Sequence, residues 1–224
     1  MLILGITSST ARVGVALGAA TDGVVEMLAE ATSSTDRRHA EEVTPLLVEV
    51  LETAGIDIAS VDRLAVDVGP GRFTGLRVGL ATIRSLALAL DLAVVGVSSL
   101  ELLAVAQLAA TPSSPRSRLV VAVIDARRNE VFQQVFDDDG ALGLPTVGPP
   151  ADLAILVPVD AVVVGDGADR YAEQYGAGVV SGREPSPSWL VRLAAVRPSA
   201  PAAAVAPCYL RDPDVQINIR TRTT

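Results

Sequence analysis

Three short apolar runs open the chain, LILGIT (2–7), RVGVAL (12–17) and GVVEMLAEA (23–31). Their length and the Ser, Thr, Gly and Asp between them predict three strands joined by turns. From Asp36 the spacing changes. Ala40, Val43, Leu46, Leu47, Val50, Leu51 and Ala54 recur at intervals of three and four, which is one face of a helix, and Gly55 ends it. RLAVDV is a fourth strand, and GPGRFTGLRVG (69–79) follows it as a glycine-rich exit into a second helix, from about Gly75 to Leu90. LAVVGV then reads as a strand, and SSLELLAVAQLAA as a third helix with Ser98 or Ser99 as its cap.

TPSSPRS (111–117) has the composition of a linker and predicts a boundary between lobes 1–110 and 111–224. Beyond it, RLVVAVIDARRNEVFQQVF is strand, turn and strand, with DDDG at the next turn. VDAVVVGDGADRYAEQYG is strand, glycine turn and short helix. After Gly182 the chain is rich in Pro, Ala and Arg, and the pattern assigns no element. LILGITSSTARVGVAL and LVVAVIDARRNEVFQQV share one plan: at a constant offset Thr7 meets Asp125 and Val13 meets Val131. The expected fold is two similar α/β lobes.

Composition narrows the chemistry. Half the residues are hydrophobic but only 3 % aromatic, so the core must be built from Val, Leu, Ile and Ala. Asp91 interrupts the run LALALDLAVVGV, which is too short to span a membrane as one uncharged helix. The first residues carry no basic region or cleavage pattern and read as a strand. One cysteine, Cys208, excludes an internal disulfide and fits a reducing, cytoplasmic compartment. All 18 basic residues are arginine, which excludes every lysine-dependent mechanism. With His39 the only histidine, no zinc site of several His and Cys ligands can be assembled. The net charge of −8 and pI of 4.7 disfavour unaided nucleic-acid binding. The locally basic INIRTRTT end reads as a solvated tail.

The glycine loop has no Lys-Ser/Thr pair and so fails the P-loop pattern. Gly69, Gly71 and Gly75 are also spaced one residue too wide for the dinucleotide fingerprint. Two readings stand: free amides at a helix start facing an anion, or glycines that admit a neighbouring backbone, with Gly75 and Gly79 on one face. The pattern favours the second. The helix is also apolar nearly all round, which predicts burial on more than one side and a partner contact through it. His39 reads as a half-exposed helix residue, Cys208 as unactivated, and Asp137–Asp139 as a hairpin turn lacking the spaced ligands of a calcium loop.

ILGITSST, RHAEEVTPLL, GPGRFTGLRVGLATIRSLALAL, GVSSLELLA, IDARRNEVF, GDGA and PCYLRD together resemble, in this order, the TsaB family of bacterial tRNA threonylcarbamoyladenosine biosynthesis subunits. The resemblance implies an actin-like (ASKHA) fold of two duplicated α/β lobes. It also implies a role as non-catalytic partner of the related transferase TsaD, with the ATPase TsaE joining and tRNA reached only through the complex. The residues themselves give no membrane, no cofactor and no metal, and the apolar second helix leaves a homodimer of the isolated chain open. In TsaD-like relatives a His-x-x-x-His metal pair follows a Gly-Val strand end; the matching segment here puts Ser99 and Leu103 at those places. Thr7 stands where actin-like kinases, and commonly TsaB proteins, keep an acid. The family's contact surface maps onto Val43, Leu46, Leu47 and Val50 of the first helix and Gly75, Gly79, Ile83 and Ala87 of the second. The alternative is an active actin-like ATP-dependent phosphotransferase, with Gly69, Gly71, Thr74 and Asp125 as the nucleotide-binding candidates. A hydrolase dependent on His39 is a third reading.

Overall fold

The computed structural model describes residues 1–33, 39–110 and 119–211. The first sheet is built from β1 (Leu2–Thr7), β2 (Gly14–Thr21), β3 (Val24–Thr32), β4 (Arg63–Asp67) and β5 (Val94–Val97), in the order β3-β2-β1-β4-β5. The first three strands are antiparallel neighbours, and β4 and β5 run parallel to β1. Helices α1 (His39–Ala54), α2 (Phe73–Leu90) and α3 (Ser99–Ala110) connect them.

The second sheet repeats the plan. It contains β6 (Val120–Arg127), β7 (Glu130–Asp137), β8 (Gly140–Gly148), β9 (Val162–Val164) and β10 (Val179–Val180), in the order β8-β7-β6-β9-β10. Strand for strand this is the first sheet again, with the same parallel and antiparallel pairings. The architecture is an actin-like α/β fold of two duplicated lobes. Register refines the sequence alignment of the repeats. Thr7 pairs with Gly14 and Asp125 with Val131, so the partner of Val131 across the duplication is Gly14 rather than Val13. The second turn is one residue shorter, and Arg127, Arg128 and Asn129 close it in the left-handed region, at φ of 64°, 54° and 59°. Short helices α4 (Pro150–Ala154), α5 (Asp166–Arg170) and α6 (Ala172–Tyr175) follow.

The first sheet is covered on both faces. Leu4, Ile6, Val15, Leu17, Leu64 and Val66 meet Val43, Leu46 and Val50 of α1 and Leu80, Ile83 and Ala87 of α2. The other face, with Ile3, Ala16, Ala65 and Val95, is closed by Leu190, Val191 and Ala194 of α7 (Pro187–Val196). A β-carbon on Gly5 would crowd Val191 and Leu190, so glycine there lets α7 lie close. The segment after Gly182, to which the sequence assigned no element, therefore returns to the first lobe. Ala200 pairs with Val94, and Arg63 donates to the carbonyls of Ala194 and Arg197 at 2.8 and 3.1 Å. Residues 187–205 of the expected lobe 111–224 thus pack on the first sheet, whereas Leu210 and Arg211 lie against the second. The expected linker 111–117 and the INIRTRTT tail lie outside the described residues, as do the first residues assigned to α1.

Helix α3 is the shared wall. Leu102 faces the first sheet, whereas Leu100, Leu103 and Ala104 face Ala122, Ile124, Phe132 and Phe136 of the second. By length and composition α2 could cross a membrane, yet its apolar stripe lies in the first-lobe core and its other side carries Arg77 and Arg84.

Candidate functional site

Ligands of open α/β sheets gather at the carboxyl ends of parallel strands. In the first lobe those ends carry the Ser8–Thr10 turn after β1, Asp67 closing β4, the Gly69–Gly71 loop and the start of α3. Asp67 is fully buried and accepts the backbone amides of Ser8 and Ser9, both at 3.0 Å, and the Ser99 hydroxyl at 3.3 Å. Burial pushes its carboxyl above the usual carboxylate range; the two amides and Ser99 oppose the shift. The sequence reading passed over this residue. The signal was there: an acid inside LAVDV, where a strand buried on both faces tolerates one only if its oxygens are bonded.

The glycine loop lies against the same turn. A β-carbon on Gly71 would overlap the Ser9 carbonyl, one on Gly75 the Ser8 carbonyl, and one on Gly79 the Ser8 hydroxyl. Ser8 donates its hydroxyl to the Gly75 carbonyl at 3.0 Å, and the Arg72 amide donates to the Ser9 carbonyl at 2.6 Å. The glycines thus make room for the chain's own turn. A phosphate laid against them would have to displace Ser8 and Ser9, so this loop does not fit one. Of the nucleotide candidates, Gly69 (φ 93°) faces Leu76, Gly71 faces Ser9, and Thr74 is exposed on the first turn of α2.

Asp125 lies at the matching place in the second lobe. It is buried, 3.5 Å from the Arg127 guanidinium and 3.9 Å from that of Arg170. Its amide donates to Asp166 at 3.0 Å, a bond of the same kind as that between the Ser8 amide and Asp67 but one residue earlier on both strands. Burial pushes Asp166 up to about 6; the Asp125 amide opposes this, Glu184 and Asp125 reinforce it, and Arg72 from the first lobe lowers it. Glu184 is raised mainly by burial and held down by the Thr10 hydroxyl, Arg12 and Arg72. Arg72, the arginine of the glycine loop, therefore acts across the lobe boundary on two acids. The Asp125 carboxylate is met by the Arg127 and Arg170 guanidinium groups of its own lobe.

A family model for TsaD, tRNA N6-adenosine threonylcarbamoyltransferase, matches residues 26–148. An uncharacterised protein of Mycobacterium tuberculosis is 33 % identical over 93 % of this chain and 94 % of its own length. The tRNA threonylcarbamoyladenosine biosynthesis protein TsaB of Escherichia coli is 34 % identical over 62 % of this chain and 56 % of its own. Among solved structures, YeaZ from Pseudomonas aeruginosa superposes with a TM-score of 0.76 at 28 % identity, covering 93 % of this chain and 99 % of that one. The chain belongs to the TsaB family.

Other TsaB-type positions can now be placed. Ser99 is sealed against Asp67, and Leu103 is buried in the second-lobe core. Neither offers the imidazole nitrogen of a metal ligand. Among the described residues no group of three His, Cys, Asp or Glu is arranged around a common ion position. The His39 Nε2 lies 2.9 Å from the Thr10 carbonyl and its ring packs by Gly75, tying α1 to the same turn. The Cys208 thiol is raised by burial, and Asp137 closes its hairpin by accepting the amides of Asp139 and Gly140.

The eight contact positions carried over from the family need a correction. Val43, Leu46, Val50, Gly75, Gly79, Ile83 and Ala87 are buried in the lobe's own core, and Leu47 packs half-buried against it. The periodic stripe is the core side of each helix, because the sheet is the nearest large apolar surface for it to cover. The exposed side of α2 includes Phe73, Arg77, Ala81 and Leu88, the last 87 % exposed, and Val48 of α1 is exposed as well. The Arg77 guanidinium lies 3.8 Å above the Phe73 ring, which packs at 5.4 Å on Tyr209.

Proposed function

We propose that this chain serves tRNA threonylcarbamoyladenosine biosynthesis as a partner subunit without chemistry of its own, docking on a TsaD-type transferase. The observation that carries the reading is the filled glycine loop. Where an actin-like enzyme would hold phosphate, Ser8 and Ser9 lie against Gly71, Gly75 and Gly79, and Asp67 spends its oxygens on the same turn. In this reading the partner meets the outward sides of α1 and α2, around Val48, Phe73, Arg77, Ala81 and Leu88. Exposed aromatic and arginine side chains held by each other suit an interface anchor. TsaE joins the pair, tRNA is reached through TsaD, and the isolated chain uses the same surface to self-associate. The fit to a cytoplasmic assembly rests on the single free cysteine.

The test is reconstitution. TsaD mixed with this chain should co-elute and form threonylcarbamoyladenosine on tRNA, and omission of the chain should stop the reaction. Full modification without it would defeat the proposal.

A further inference from the structure

The end of the second sheet opposite Asp125 carries a surface of another kind. Phe136 of β7 and Val162 of β9 both pair with Val120, the first residue of β6. The Asp137–Gly140 turn leaves Phe136, and the Pro158–Ala161 turn leads to Val162. The two turns therefore emerge at the same pole, two strand spacings or about 10 Å apart. Leu142 of the edge strand β8 lies beside the first turn, paired with Val135 and on the same sheet face. Val135 packs with Leu153, Ala154 and Val157, and the Gln133 side-chain amide donates to the Leu153 carbonyl at 3.2 Å. The chain from α4 to Val159 thus runs along the sheet face that Leu142 shares.

Four large aliphatic side chains face solvent here. Val159 is fully exposed, Ile155 81 %, Leu156 64 % and Leu142 47 % exposed. Single exposed aliphatics need no explanation, but a group of them at one pole of a lobe marks a contact surface. Leu153 and Val157 of the same segment already serve the core, so the outward set has no part in closing it.

Charge decides the kind of partner. Between Arg128 and Arg170 the sequence has no basic residue, and Asp137, Asp138, Asp139, Asp152 and Asp160 border the aliphatic group. They outnumber Arg116 and Arg118, which precede β6 in sequence and lie outside the described residues. Such a border repels RNA, an anionic membrane and the same face of a second copy. Strand addition is opposed as well, because Pro145 and the register shift opposite Gln133–Val135 make β8 an irregular edge. An apolar group with an acidic border fits a cationic segment that is apolar along one face.

We propose that this pole of the second lobe docks a basic amphipathic helix of a partner protein. The apolar face of that helix lies on Ile155, Leu156 and Val159, and its cations meet Asp139 and Asp160. The probe is a synthetic helical peptide with leucine on one face and lysine on the other, read by amide NMR shifts of the full chain. One control peptide has the same composition in shuffled order, and another has glutamate for lysine. The amphipathic lysine peptide should give saturable shifts confined to residues 137–160. The shuffled peptide should bind about tenfold weaker or worse, and the glutamate peptide not at all. Ile155→Ser with Leu156→Ser, both outside the core, should weaken the lysine peptide by about tenfold or more. Asp139→Asn with Asp160→Asn should weaken it about threefold or more. Glu26→Gln with Glu30→Gln, exposed acids of the first lobe, should leave it unchanged. Shifts spread over both lobes, equal binding of the shuffled peptide, undiminished binding in either second-lobe variant, or an equal loss in the first-lobe variant would overturn the proposal. So would shifts at 137–160 without peptide, either on concentrating the chain or in Arg220→Glu with Arg222→Glu. Those results would assign the surface to a second copy or to the chain's own tail.

Discussion

Gly75 shows how one missing β-carbon decides between two uses of a glycine loop. In a helix, alanine is favoured over glycine by about 1 kcal/mol. At this position the added carbon would overlap the Ser8 carbonyl, a backbone atom bound into the Asp67 network, while overpacking costs about 1–3 kcal/mol. Overpacking wins. Gly75→Ala should be less stable than the parent by up to about 2 kcal/mol in urea unfolding, and a variant more stable than the parent would mean the turn is not seated there. Asp67 makes a related point. Asn in its place can accept only through one oxygen, so an amide of Ser8 or Ser9 loses its partner at a cost of about 1–3 kcal/mol. The same unfolding measurement applies, and an unchanged midpoint for Asp67→Asn would rule out that account.

At the scale of elements, α2 separates what spacing can and cannot reveal. Its existence, its start near the glycine loop and its stop before Asp91 were legible from period and breakers. Which side meets the sheet was not: Leu88, Ala81 and Ala89 make the helix apolar nearly all round, so its periodic stripe could be taken for either the core or the partner side. Helix α7 was illegible for a different reason. Its apolar run is short and flanked by prolines, and only the open face of the first sheet gives it something to cover. The two sides of α2 predict two different results. Ile83→Glu buries a charge in the first-lobe core and should leave no folded protein, which makes it useless for testing docking. Leu88→Glu should change stability by no more than about 0.5 kcal/mol, since the side chain already faces water. The same variant should abolish co-elution with TsaD; retained co-elution would move the docking surface off α2.

For the whole molecule, each lobe holds a carboxylate near its strand ends that accepts an amide from the lobe's first strand or the turn after it, at positions one residue apart in the two registers. The two carboxylates differ in what surrounds them. Asp67 has three donors and no neighbouring acid in its hydrogen-bond set, whereas Asp166 faces Asp125 and Glu184 with Arg72 reaching over from the other lobe. The repeat was visible in the sequence as two similar hairpins, but these encounters join residues far apart in the chain, such as Ser8 with Asp67 and Arg72 with Asp166, and no local pattern announces them. Their consequence can be measured through pH. The carboxyl of Asp166 sits near 6 in the folded chain against an ordinary value of 3.8, so folding disfavours its charged form. The cost is absent below about pH 4, grows as pH rises through 6, and is complete above it, reaching at most about 2–3 kcal/mol. Asp166→Asn keeps an oxygen for the Asp125 amide and cannot ionise. Relative to the parent, the variant should therefore gain stability between pH 4 and pH 7, with the gap closing again on acidification. Urea midpoints for both proteins across that range provide the check, and a gap that stays constant or widens toward acid would show that the Asp166 carboxylate is stabilised at the lobe boundary rather than strained there.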